Sequence, residues 1–228
     1  MSAKIAIVTG ASQGIGTATT KALVTAGFKV YAHYRTQPAE LPAVVSEEVR
    51  WWQADFANPA SLEQLPTELA GLEHVDALIH CAGVAELGPC AETSAELWQW
   101  HMNVNAIAPA VLTTSLLPQL RAGGATVIVV NSGAGQHTHP NWGAYSASKH
   151  AAKAWANALR AEEPGLRVSS VYPGRVATAM QAAIHEFEQR EYDPSRYIQP
   201  GTVAGTIVEL VNLPGDAVVS DLSLRPQR

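Results

Sequence analysis

At 228 residues, with 47% hydrophobic and 15% charged side chains, the chain has the composition of a soluble globular protein with a substantial core. Its formal net charge of −5 at pH 7 argues against nucleic acid or an anionic membrane surface as the main partner. No run approaches the roughly 18 apolar residues of a membrane span, and Cys81 and Cys90 form no disulfide framework. "MSAKIAIVTG" passes directly into a strand-like run with no secretory segment, so a cytoplasmic setting is the expectation.

In chain order, a strand is predicted at 4–10 and a helix at 14–26, followed by strands at 28–34 and 48–54. A helix at 59–70 precedes a strand at 74–83, and a long helix at 94–121 precedes one at 125–132. A helix at 143–163, a strand at 166–174, a short helix near 179–190, a helix at 200–212 and a strand at 217–223 complete the series. Several strands are continuously apolar, as strands of a parallel sheet buried on both faces are. Strict βα alternation predicts a doubly wound α/β fold of about seven parallel strands, with right-handed crossovers and helices on both faces. No repeat, low-complexity tract or linker divides the chain, which reads as one domain over 1–228.

In such a sheet, ligands sit beyond the carboxyl ends of the strands. After the first strand comes "TGASQGIG", residues 9–16. Gly10 permits a tight turn, and Gly14 and Gly16 let a phosphate approach the backbone at a helix N-terminus, with Ser12, Gln13 and Ile15 between them. The spacing is G-x-x-x-G-x-G rather than G-x-G-x-x-G. Further on, "GAYSASKHAAKAWANALRAEE" (143–163) sets Tyr145 and Lys149 four residues apart on a helix of small side chains. Residues i and i+4 share a helix face. Alone, such a pair is more often a half-buried ring beside a solvated charge.

Taken together, these segments resemble the short-chain dehydrogenase/reductase family over essentially the whole chain. "TGASQGIG" is similar to its cofactor loop and Tyr145-x-x-x-Lys149 to its catalytic pair. "MNVNAIAP" (102–109) places Asn105, and "VNSGAGQHTHPNWGAY" (130–145) places Ser132, at the family's other two catalytic positions. "YPGRVAT" (172–178) resembles the P-G-x-V-x-T that contacts the nicotinamide, giving Pro173, Gly174, Val176 and Thr178. "HCAG" (80–83) stands where the family has N-N-A-G, retaining Ala82 and Gly83 for the adenosine site. His80 and Cys81 replace the Asn pair, whose side chains mainly brace the neighbouring loop. Asp55 fits the family's acid that accepts from the adenine amino group; a residue near a helix N-terminus is the plainer reading.

The resemblance implies a single-domain Rossmann-like fold and an NAD(P)-dependent oxidoreductase acting on a carbonyl/alcohol pair. Tyr145 would act as general acid/base and Lys149 would hold the nicotinamide ribose. Ser132 would bond the substrate oxygen, and Asn105 would hold a water linking Lys149 to solvent. The chemistry agrees: hydride transfer to a carbonyl needs a proton at the oxygen. A phenol supplies it if its pKa falls from ~10 towards ~7, about 4 kcal/mol of differential stabilisation, which a nearby ammonium and an oxidised nicotinamide favour. A rival reading is a family member that binds dinucleotide without turnover, as a sensor or regulatory subunit. A hydrolase built on Ser132 lacks the G-x-S-x-G elbow.

Charge favours NADP(H) over NAD(H). NAD recognition uses an acid about 20 residues beyond the Gly-rich turn; after Gly16 the first carboxylate is Glu40. Tyr34 stands at the acid's position and Arg35 follows it, able to bond a 2′-phosphate, with Ser12 as a further donor. Met180, Ile184 and Phe187 form one apolar stripe, read as a substrate lid near 179–199 rather than as a satellite helix packed on the domain. The helices at 94–121 and 143–163, with Ala151, Ala154 and Ala158 for close approach, imply by resemblance a homodimer or homotetramer. The C-terminal "SDLSLRPQR" lacks the family's glycine-rich ending. His137 and His139 lack a third ligand at metal spacing and read as loop histidines.

Overall fold

The structure is a computed structural model that describes residues 3–227. Seven strands form one parallel sheet in the order β3-β2-β1-β4-β5-β6-β7. They are β1 (Lys4–Thr9), β2 (Phe28–Tyr34), β3 (Val49–Gln53), β4 (Ala77–His80), β5 (Thr126–Val130), β6 (Arg167–Pro173) and β7 (Asp221–Leu224). The first six follow the doubly wound dinucleotide-binding order, which reverses between β1 and β4 and opens a crevice there.

Alternation along each apolar strand supplies both faces of the core. On one face, Ile7, Leu78, Val127 and Val129 pack with Leu112, Leu116, Ala152 and Ala156. On the other, Ala6, Val8, Ile79 and Ile128 pack with Leu23, Val203 and Ile207. Full burial of one such aliphatic side chain contributes about 1.5–3 kcal/mol. The second face belongs to α1 (Gly14–Thr25) and α9 (Pro200–Val211), which pack on each other. The first belongs to α5 (Ala108–Ser115), α6 (Leu117–Gly123) and α7 (Gly143–Glu162), with α4 (Ala95–Met102) packed against α7.

Proline accounts for the differences from the predicted helices. The helix expected at 59–70 is a 3₁₀ turn at Pro59–Leu62 and a short α3 at Thr67–Ala70, interrupted where Pro66 removes a donor and restricts Leu65. A single-turn helix, α2 (Ala43–Ser46), lies in a stretch without predicted structure. The helix expected at 94–121 is α4, a π-helical turn at Asn103–Ile107, then α5 and α6. Pro109 cannot donate to the carbonyl of Asn105 four residues back, and its ring crowds that carbonyl; the widened turn absorbs the conflict. The last strand is shorter and later than predicted.

On α8 (Ala179–Phe187) the predicted apolar stripe is not the buried face. Met180 and Phe187 are 36% and 45% exposed, and Ile184 is buried between Gln181 and His185. His185 meets the Tyr197 hydroxyl at 2.7 Å and Gln181 O at 2.9 Å, so polar partners hold this face down. Among the described residues, no helix is long and apolar enough to cross a membrane.

Candidate active site

Tyr145 and Lys149 lie in the first turns of α7, both buried, with Lys149 Nζ 6.0 Å from the centre of the Tyr145 ring. Lys149 Nζ donates to Val130 O at 3.2 Å. Burial disfavours its charged form and lowers its pKa to about 8. Burial also raises the Tyr145 phenol, and a hydrogen bond with Ser132 opposes that. In the chain alone, burial outweighs the effect that lowers the Tyr145 phenol.

Ser132 follows β5, where its hydroxyl accepts from Ala134 N at 3.1 Å. Its position depends on a residue the sequence reading passed over. Asn131 is buried; its Oδ1 accepts from Ser132 N at 2.8 Å and its Nδ2 donates to Lys149 O at 3.0 Å. One amide thus ties the Ser132 loop to the helix turn that carries Lys149. Its position next to Ser132 was the only available sign.

Asn105 sits in the π-helical turn. Its Nδ2 donates to Val84 O at 3.0 Å and Ser148 Oγ at 2.9 Å, and its Oδ1 accepts from Val84 N at 2.9 Å. The side chain fastens the loop after β4 to α7, engaging both amide protons and one lone pair of its oxygen. His101 supports the same loop: it donates from Nδ1 to Leu97 O and accepts at Nε2 from Glu86 N. His80, expected to brace the neighbouring loop, instead braces α5. The Thr113 hydroxyl donates to Pro109 O, so it accepts from His80 Nε2 at 2.9 Å. Cys81 turns into the crevice, its thiol pushed up to about 12 by burial.

Two cavities adjoin. A cleft of about 1360 Å³ runs past Gly10, Ser12, Gln13, Gly14, Gly16, Arg35, Asp55 and Ala82. A cavity of about 260 Å³ is bounded by Ser132, Tyr145, Lys149, Pro173, Gly174 and Val176. Ile15, Gly83 and Thr178 line both. Of the residues predicted for the site, only Asn105 lines neither. Arg35 is exposed and, among the described residues, has no carboxylate partner within ion-pair distance; Lys21, which the sequence reading did not single out, faces the same cleft. Asp55 lines the cleft, and its Oδ1 accepts from Ala57 N at 3.0 Å.

The residues present suit a dinucleotide. Gly10 and Gly14 have φ of +63° and +56°, and a Cβ on Gly10 would stand 2.7 Å from Ala82 Cα. The turn is therefore bare backbone opening onto the cleft at the N-terminus of α1, as an anionic diphosphate requires.

Comparison with known proteins agrees. The sequence pattern of the family described as short chain dehydrogenase matches residues 4–189. The chain is 31% identical to a 3-oxoacyl-(acyl-carrier-protein) reductase of Synechocystis sp., over 96% of this chain and 94% of that one. It superposes with a TM-score of 0.85 and 25% identity on an alcohol dehydrogenase of the archaeon Thermococcus sibiricus complexed with 5-hydroxy-NADP, covering 99% and 98% of the two chains. A short-chain dehydrogenase of Shigella flexneri complexed with NADP gives a TM-score of 0.86 at 27% identity, covering 96% and 95%. The chain belongs to the short-chain dehydrogenase/reductase family and is an NAD(P)-dependent oxidoreductase of that family.

Proposed function

We propose that the protein transfers a hydride between NADP(H) and a carbonyl/alcohol pair, with Tyr145 as the general acid/base. The observation that carries this reading is the meeting of Tyr145, Lys149 and Ser132 at a small cavity opening into the glycine-lined cleft. When bound, the cofactor donates or accepts the hydride at the substrate carbon. Tyr145 delivers the proton to the oxygen, and the Ser132 hydroxyl bonds that oxygen and orients it. Lys149, with its pKa near 8, is charged at neutral pH and offers donors to the ribose hydroxyls.

The Asn105 side chain is committed to Val84 and Ser148, so a water relaying protons from Lys149 would rest on the Asn105 carbonyl, which Pro109 deprives of its usual donor. Arg35, with Ser12 nearby, favours a 2′-phosphate, as do the NADP-type ligands of the two structural relatives. The whole chain serves as one cofactor-binding domain, and α8 with the loop to residue 199 forms the substrate lid. Its Met180, Gln181 and Ile184 face the smaller cavity.

The test combines NADPH oxidation against a carbonyl panel with titration of NADPH and NADH into the wild type and Arg35→Ala. Expected are carbonyl-dependent NADPH oxidation, tighter NADPH than NADH binding, and about tenfold or greater loss of NADPH affinity in the variant. Tighter NADH binding by the wild type, or equal NADPH affinity in the two proteins, contradicts the cofactor assignment; the dinucleotide-sensor reading requires binding with no carbonyl turned over.

A further inference from the structure

The charges around the smaller cavity bear on which substrates it accepts, and the inference rests on reading that cavity as the substrate site. Its walls are largely apolar. Ala134, Ile184 and Trp142 line it around Tyr145, and the Trp142 ring meets the Tyr145 ring at 5.7 Å and 60°. Two residues with cationic side chains line the cavity, Lys149 and Arg175. Lys149 is turned to Val130 O and, in the proposed function, to the cofactor. His139, also on the wall, is exposed, with its ring edge-on to Trp142 at 6.0 Å.

Arg175 is not free. Its Nη2 donates to Glu188 Oε1 at 2.7 Å, and its Nη1 lies 3.3 Å from His185 Nε2. The two charged side chains are 31% and 18% exposed, so water screens the pair only in part. A substrate carboxylate entering here finds Arg175 already paired and Lys149 turned to Val130 O. Drawing Arg175 away would strand the Glu188 carboxylate, whose Oε2 is buried without a hydrogen-bond partner. Its next nearest cation, Arg190, is 3.9 Å off and 70% exposed. Desolvating an anion without a partner is costly, whereas a neutral apolar group meets matching walls.

We propose that the substrate is an uncharged carbonyl or alcohol with a compact apolar or aryl group beside the reacting carbon, and that Glu188 enforces this choice by occupying Arg175. The arrangement rejects anions by keeping a cation in the pocket wall already paired. Replacing the carboxylate with a neutral amide should release Arg175 and admit the anions that the wild type refuses.

The probes are methyl phenylglyoxylate and phenylglyoxylate, which differ chiefly in charge. Their kcat/KM with NADPH is measured, together with their calorimetric affinity for the protein saturated with NADP⁺, which cannot reduce them. The wild type should favour the ester by about tenfold or more in both readouts. Glu188→Gln should shrink or reverse that ratio through tighter binding of the acid, and Glu188→Gln/Arg175→Met should restore it. Acid bound as well as ester by the wild type, no binding of the ester, or a ratio unmoved in Glu188→Gln overturns the inference. Preferential binding of the ester with no turnover of either compound supports it and contradicts the proposed function instead.

Discussion

The backbone N–H of Gly10 donates to His33 Nδ1 at 3.0 Å, and His33 Nε2 lies 3.0 Å from Ala54 O. The imidazole therefore carries its proton on Nε2 and holds the glycine-rich turn with its bare nitrogen. The ring stacks on Phe56 at 4.2 Å, and burial lowers its pKa to about 4 against a weaker opposing effect of Asp55. Between that value and 6.5, the ordinary histidine value, the unfolded chain holds a proton that the fold excludes, so stability is lost as pH is lowered across this window. Protonation also removes the Gly10 acceptor. NADPH affinity is accordingly expected to weaken as pH is lowered towards about 4, where the folded ring takes up its proton. His33→Asn, which can accept but does not titrate, should flatten the profile; identical pH profiles for variant and wild type contradict this role. None of this is legible in "FKVYAHY", because the ring's partners lie 23 and 21 residues away. Asn131 and His101 were missed for the same reason. Tyr145 and Lys149 were readable because one helix face sets their relation.

At the scale of elements, the sequence placed the buried strands well because apolar β-rich runs between helical stretches have few other solutions. It failed where proline sits inside an apolar helical pattern. Pro109 and Pro66 each carry a known local cost, but periodicity alone does not show whether the chain answers with a π turn or a break. Here the π turn spans Asn103–Ile107 and so contains Asn105. Restoring a donor with Pro109→Ala should let the helix regularise and the Asn105 carbonyl find an intrahelical partner. Proline inside a helix costs up to ~3 kcal/mol, so Tm should hold or rise. In the proposed proton relay that carbonyl holds the water, so its loss should lower kcat several-fold, by about 1 kcal/mol in barrier. A raised Tm with unchanged kcat would show that the distorted turn is a packing accommodation only.

For the whole molecule, the strand order puts the turn after β1, the loop after β4, the Ser132 loop and the 173–178 segment at one sheet end, each following a carboxyl-terminal strand end. That is why residues scattered from 10 to 178 in sequence line two adjoining cavities. On α7, Ala154 and Ala158 are exposed one turn apart, and Ile107 is 41% exposed. Pairing of two copies through such a face is the proposed assembly; light scattering at micromolar concentration should give a mass of two or four chains, and a 24.2 kDa species alone would contradict it. The central claim, that the Tyr145 phenol moves the proton, is tested most directly by Tyr145→Phe, which keeps the ring among Leu87, Ala134, Trp142 and Ile184 and removes only the hydroxyl. The account predicts unchanged NADPH affinity and a kcat lower by at least about 10²-fold on the best carbonyl substrate; a kcat within about threefold of wild type would contradict it.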